Sequence, residues 1–187
     1  MDNGASSYRR FRDNGDESGL AEIIRDYREG LILYLNSIVG SLQTAEDLAE
    51  DTFVLLGTKK PKDKGKGAFR TWLYTIGRNI AIDWLRKHRK HTALPLDEQT
   101  GQMLGTEDAA ETVYLKKEQR LAVHSAMQKL PPDYRQVLWL VYFEDFSTRE
   151  AAGIMKKTVR SVEALLCRAR KSLKSQLESE GFDYENL

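Results

Sequence analysis

The stretch FRTWLYTIGRNIAIDWLRKHRK, Phe69–Lys90, decides the fold class. At 3.6 residues per turn, Phe69, Leu73, Ile76, Ile80 and Trp84 fall on one narrow stripe with Gly77 and Ala81 at its edge, which predicts a helix facing a core. Nearly opposite stand Trp72, Thr75, Arg78, Asn79, Asp83 and Arg86, followed by the basic run Arg86–His91. Trp72 and Asn79, seven residues apart, sit two turns apart on one side, so a base could stack on the indole while the amide reads its edge. The alternative is that Trp72 packs beneath a neighbouring helix and the cations form a solvated rim, since a large aromatic is buried on average.

The chain's 187 residues suffice for one ordinary domain or two small ones, and 30% charged with 41% apolar residues is a soluble globular balance. Cys167 is the only cysteine, which excludes an intrachain disulfide and a paired-thiol metal motif and fits a reducing cytoplasm. The opening MDNGASSYRRFRDNGDESG lacks the apolar core of a signal peptide, and no apolar run is long enough to span a bilayer. A cytoplasmic protein with no membrane insertion is therefore expected. Three histidines and no clustered carboxylates on an apolar wall leave no acid, base or metal site, so neither an enzyme nor a cofactor or metal is expected.

The net charge of +1 conceals a pattern. Gly57 to His91 holds eleven Lys/Arg against Asp63 and Asp83, a net of +9; Lys156 to Lys174 holds seven against Glu163, a net of +6; the remainder carries −14. Two basic blocks separated by acidic sequence suggest two contacts with one polyanion, and an acidic surface left for something else.

Residues 1–15 are polar and read as a flexible tail. Ser18 is placed as the cap of a helix to about Val39, ended by Gly40. Thr44 begins the next helix, with Leu48, Thr52, Leu55 and Leu56 inward and Glu46, Asp47, Glu50 and Asp51 on the wet side beside Phe53. The Gly- and Lys-rich residues 57–68 predict a mobile loop whose lysines, Lys64 and Lys66 among them, could follow phosphates; a plain exposed linker is the other reading. Residues 92–112, without Lys or Arg, form an acidic linker. The expected fold is therefore all-α: two small helical domains, residues 16–91 and 113–180, joined by that linker, with residues 181–187 a second tail.

In the second domain Pro131-Pro132 breaks one helix and starts the next, DYRQVLWLVYF. Ser147 and Glu150 form a capping box on a short helix to Met155; Lys156-Lys157-Thr158 turns; and Thr158 caps a long helix from Val159 to about Leu177, with Val162, Leu166, Ala169 and Leu173 inward. Ala151 and Ala152 let the two helices cross closely. This is a helix-turn-helix pattern in a four-helix domain, and its second helix turns Arg160, Glu163, Ala164, Cys167, Arg168 and Lys171 outward toward a major groove. Arg160 and Arg168 suit guanines or phosphates, and Glu163 suits a cytosine amine. The same geometry also occurs in helical bundles that bind no DNA, and Cys167 reads as an incidental small residue rather than a redox sensor.

The segments AEDLAEDTFVLL (45–56), FRTWLYTIGRNIAIDWLRKHRK (69–90), LPPDYRQVLWLVYFEDFSTREAA (130–152) and VEALLCRARKSL (162–173) together resemble sigma-70 family factors of the short extracytoplasmic-function group. The resemblance implies a promoter-recognition subunit of bacterial RNA polymerase. It implies that Asp47, Glu50, Asp51 and Phe53 dock on the clamp helices of the polymerase large subunit, with its flap a further contact. Lys64, Lys66, Trp72, Thr75, Arg78, Asn79, Asp83, Arg86 and Lys87 would open the minus-ten element of promoter DNA, and Lys157, Thr158, Arg160, Ser161, Glu163, Ala164 and Arg168 would read the minus-thirty-five element. The family often pairs with an anti-sigma factor. Relatives commonly carry Gly at Lys156, a basic residue at Glu163 and Ser at Ala164, so the promoter sequence read need not be the common one. A stand-alone helix-turn-helix regulator, with residues 69–90 as a protein interface, is the competing reading.

Overall fold

The computed structural model describes residues 3–63, 68–88, 123–179 and 181, and among them the only regular elements are helices. The first half holds α1 (Asn3–Asn14), α2 (Glu17–Val39), α3 (Leu42–Lys59) and α4 (Phe69–His88). In the second half residues 123–128 are helical, and α5 (Pro132–Leu138), a π turn (Trp139–Phe143), α6 (Thr148–Met155) and α7 (Val159–Ser179) follow. The linker 92–112, Lys64, Lys66, the end of the basic run and most of the tail 181–187 lie outside the described residues.

The first correction concerns the expected tail 1–15, within which Asn3–Asn14 form a helix. Gly4, Ser7, Tyr8 and Phe11 recur at helical spacing and are buried, so α1 is an amphipathic helix laid on α2. Two aromatics in a polar setting are a weak signal alone. They hold because Ser7 Oγ and the Arg10 guanidinium both donate to the Glu22 carboxylate of α2, and Tyr8 Oη donates to the Pro61 carbonyl at 2.7 Å.

Two starting caps lie upstream of the expected ones. Asp16 caps α2, accepting from the Ser18 amide at 3.0 Å, and Ser41 caps α3, accepting from the Thr44 amide at 3.4 Å. In each case the expected residue lies two or three positions downstream of the oxygen that caps the helix. Gly40, left-handed at φ 76°, closes α2 as expected. Helix α3 runs on to Lys59, into the stretch read as loop, before Lys60 turns left-handed at φ 43°.

On α4 the buried line is Phe69, Leu73, Tyr74, Gly77 and Ala81, while Ile76, Ile80 and Trp84 are only half-buried. The core face is rotated from the expected stripe because Gly77, not a large side chain, meets α2. A Cβ there would sit 2.9 Å from Leu31 Cδ1.

The helix-turn-helix appears as read. Ser147 and Glu150 complete both bonds of the capping box, Lys156 makes the left-handed turn at φ 54°, and Thr158 Oγ1 accepts from the Ser161 amide at 3.2 Å. The preceding helix is not continuous. After Leu138 it widens into a π turn that buries Trp139 and Leu140 and leaves Tyr142 and Phe143 exposed.

The halves are not separate in space. Helix α6 packs on α4, and α5 on α2, so one apolar core runs through both.

Candidate nucleic-acid interface

Three sides of α4 are covered, by α2 and α3, by α1, and by α6. Trp72 lies at the α1 edge, its ring 5.2 Å from that of Tyr8 and 5.5 Å from that of Phe69. It is half-buried. The indole is therefore wedged against aromatics, as the packing alternative expected in part, and keeps part of its surface open. Burial raises the Tyr8 hydroxyl to a pKa of about 12, so the Pro61 carbonyl faces a neutral donor.

Asn79 is half-buried and Asp83 exposed on the same side of the helix as Trp72. Thr75 Oγ1 donates to the Thr71 carbonyl of its own helix at 2.7 Å, and Arg86 pairs with Asp83 at 3.2 Å in the open. Lys87 is exposed. Arg78 departs from this group: its Nε donates to Gln136 Oε1 of α5 at 3.2 Å, so its guanidinium is spent on the other half of the protein.

On α3, Glu46, Asp47, Glu50 and Asp51 are exposed. Phe53 is not part of that surface. It is 6% exposed and belongs to the core, whereas Val54 is 53% exposed amid the four acids. Sequence reasoning missed Val54, although its spacing of seven from Asp47 placed it on the acidic side. It missed Tyr8 as well, because the first residues were read as unstructured.

The second helix of the helix-turn-helix presents a clean face. Arg160, Ser161, Glu163, Ala164, Cys167, Arg168 and Lys171 are exposed, while Val162, Leu165, Leu166 and Ala169 are buried behind them. Arg168 Nε donates to the Ala164 carbonyl at 3.3 Å, along its own helix. Lys157 is half-buried and pairs with Asp133 of α5 at 3.2 Å, so it braces the turn.

One half sets a part-open aromatic and an amide beside basic sequence, and the other presents an exposed cationic helix of a helix-turn-helix, an arrangement that suits a DNA-binding factor. Comparison with known proteins agrees. The pattern of Sigma-70 region 2 matches residues 23–91, and that of Sigma-70, region 4, matches residues 120–173. RNA polymerase sigma factor YlaC of Bacillus subtilis (strain 168) is 30% identical over 84% of this chain and 91% of its own. The ECF RNA polymerase sigma factor SigM of the same organism is 29% identical over 82% and 92%. The solved sigma factor RpoE from Bartonella quintana, in complex with the anti-sigma factor NepR, shares the fold at a TM-score of 0.66 and 21% identity over 84% of this chain and 96% of that one. The chain belongs to the sigma-70 family of RNA polymerase sigma factors, in its extracytoplasmic-function group. It serves promoter-specific initiation, with core RNA polymerase and promoter DNA as its partners. Among the described residues no helix is long and apolar enough to cross a membrane.

Proposed function

We propose a division of labour among the three surfaces: the exposed α3 acids around Val54 dock on the polymerase large subunit, the Trp72–Asn79 side of α4 opens the minus-ten element, and the outer face of α7 reads the minus-thirty-five element. The observation that carries the reading is the segregation of charge. Glu46, Asp47, Glu50 and Asp51 form an unbroken acidic face that repels DNA and, with an apolar residue among them, suits a protein. The outer face of α7 carries Arg160, Arg168 and Lys171 against Glu163 alone.

Energetics assign the remaining work to the polymerase. Extruding a base costs a few kcal/mol. Stacking one base on an aromatic returns about 1–3 kcal/mol, so phosphate contacts and the bound polymerase supply the balance. The protein acts in the cytoplasm with no catalysis of its own. The flap of the large subunit is a further contact in this reading, and an anti-sigma factor is a further partner, since the similar RpoE is solved with one. A stand-alone regulator is disfavoured, because residues 23–91 have an assignment of their own as region 2.

The test is Trp72→Ala combined with Asn79→Ala in run-off transcription with core polymerase. The double variant should co-elute with core enzyme in gel filtration yet leave minus-ten thymines unreactive to permanganate. Normal opening by the double variant would remove α4 from the mechanism.

A further inference from the structure

The contact between the halves is built around one carboxylate that none of these roles uses. Glu144, directly after the π turn, is 8% exposed and reaches across to the first half. It accepts from the Arg70 guanidinium and, at 2.6 Å, from the Tyr74 hydroxyl, both on α4. Phe146 follows it in, its ring 5.0 Å from that of Tyr74 and 4.3 Å from the Arg70 guanidinium carbon. The left-handed Asp145 between them, at φ 51°, and the π turn before them aim both side chains inward. The receiving pocket closes on Gly30 of α2, where a Cβ would lie 2.9 Å from either Glu144 carboxylate oxygen and 2.6 Å from Tyr74 Oη. Outlying bonds extend the seam: Arg135 Nε donates to the Ser37 carbonyl at 3.0 Å, and Thr71 Oγ1 meets Glu150 at 3.4 Å.

This arrangement is incompatible with the extended duty proposed above. The two promoter elements are named for positions about 25 base pairs apart, which is about 85 Å of duplex at about 3.4 Å per base pair. A compact chain of 187 residues has a radius of gyration of only about 16 Å. With α6 packed on α4, the two DNA-facing surfaces cannot reach both elements at once.

We propose that Glu144, seated in the Arg70–Tyr74–Gly30 pocket, is the key of an intramolecular latch that holds the free protein closed and is released when the halves separate on polymerase and promoter. The proposal rests on the two-element reading for its purpose, but the latch itself is measured without DNA. Closure lowers the fraction of molecules competent for productive assembly, and apparent affinity falls by that fraction. Releasing the latch therefore raises apparent affinity with no new contact.

The single native cysteine permits the experiment. Cys167 is exposed on α7, and Gln43 is exposed on α3. Spin labels on the full chain at Cys167 and at Gln43→Cys report the separation of the halves. The otherwise unaltered labelled protein should give one short, narrow distance, and Glu144→Gln should broaden and lengthen it. Gly30→Ala should do the same by filling the pocket, although alanine favours the helix that carries it. Core polymerase should lengthen the distance in every form. In run-off transcription with unlabelled protein, both variants should reach half-maximal output at a core concentration lower by on the order of tenfold. A broad distance in the free unaltered protein, or a short one retained in both variants, overturns the latch. Unchanged transcription with lengthened distances overturns its regulatory meaning. Failure of the two-element reading would instead appear as promoter opening that survives the Trp72/Asn79 double change.

Discussion

Helices α4 and α7 are both basic and both assigned to DNA, yet they are built in opposite ways. Helix α4 is a wall: neighbours cover three sides, Arg70 and Arg78 are engaged by the other half, and its one open side has an aromatic cluster behind it. Helix α7 is a probe, buried along one line and bare along the rest. The difference suits the two tasks proposed for these helices. A helix that slides into a preformed groove needs only a fixed axis and free side chains. A surface that holds a base out of the stack must stay rigid while the duplex pulls back, and rigidity comes from packing behind it.

That contrast is easiest to break at its strongest point. Leu73→Ala empties a fully buried site beneath the wall and should cost about 2–5 kcal/mol of stability. A thermal melt followed by circular dichroism checks this. On the probe, Arg160→Ala should leave the melting temperature in place and weaken binding to a minus-thirty-five duplex by about 1–3 kcal/mol, measured by fluorescence anisotropy with core polymerase present. A melting temperature that fell as far for Arg160→Ala as for Leu73→Ala would mean that α7 is also a wall.

Smaller changes sharpen the picture at the turn that mounts the probe. Ser147→Ala removes the side-chain cap of α6 and should cost about 1 kcal/mol, with Ser147→Thr largely restoring the melting temperature. The smallest effect is one of pH. The Ser147 hydroxyl hydrogen bond above all, with smaller help from the Ser147 amide and from Thr71 and Arg70 of the first half, holds the Glu150 carboxyl below its ordinary value against the opposing effect of burial. Because the folded-state value is depressed, the stabilisation is present above the unfolded value of about 4.3 and is lost as pH falls through the folded one. The native chain should therefore lose melting temperature over that acid range faster than Glu150→Gln does.

The second half was legible because its signals are local. Ser147 and Glu150 lie three residues apart and bond each other, and the left-handed Lys156 and the Thr158 cap mark the turn through bonds to near neighbours. The candidate site on α4 was legible in composition but not in setting. Nothing near Arg78 in sequence announces Gln136, 58 residues away, and nothing near Tyr8 announces Trp72. Phe53 and Val54 show the same limit at closer range. One residue along a helix is a rotation of about 100°, enough to move the aromatic into the core and the valine onto the acidic face.

What the sequence determined by itself was the all-helical class, the helix-turn-helix, the family and the alternation of basic and acidic blocks, because each is set by spacing or by bonds between near neighbours. Tertiary structure alone decided that the first residues form a buttress for Trp72, which edge of α4 faces the core, and that the two halves close on Glu144. Those outcomes depend on contacts between residues tens of positions apart, and such contacts leave no periodic trace in either partner's own segment.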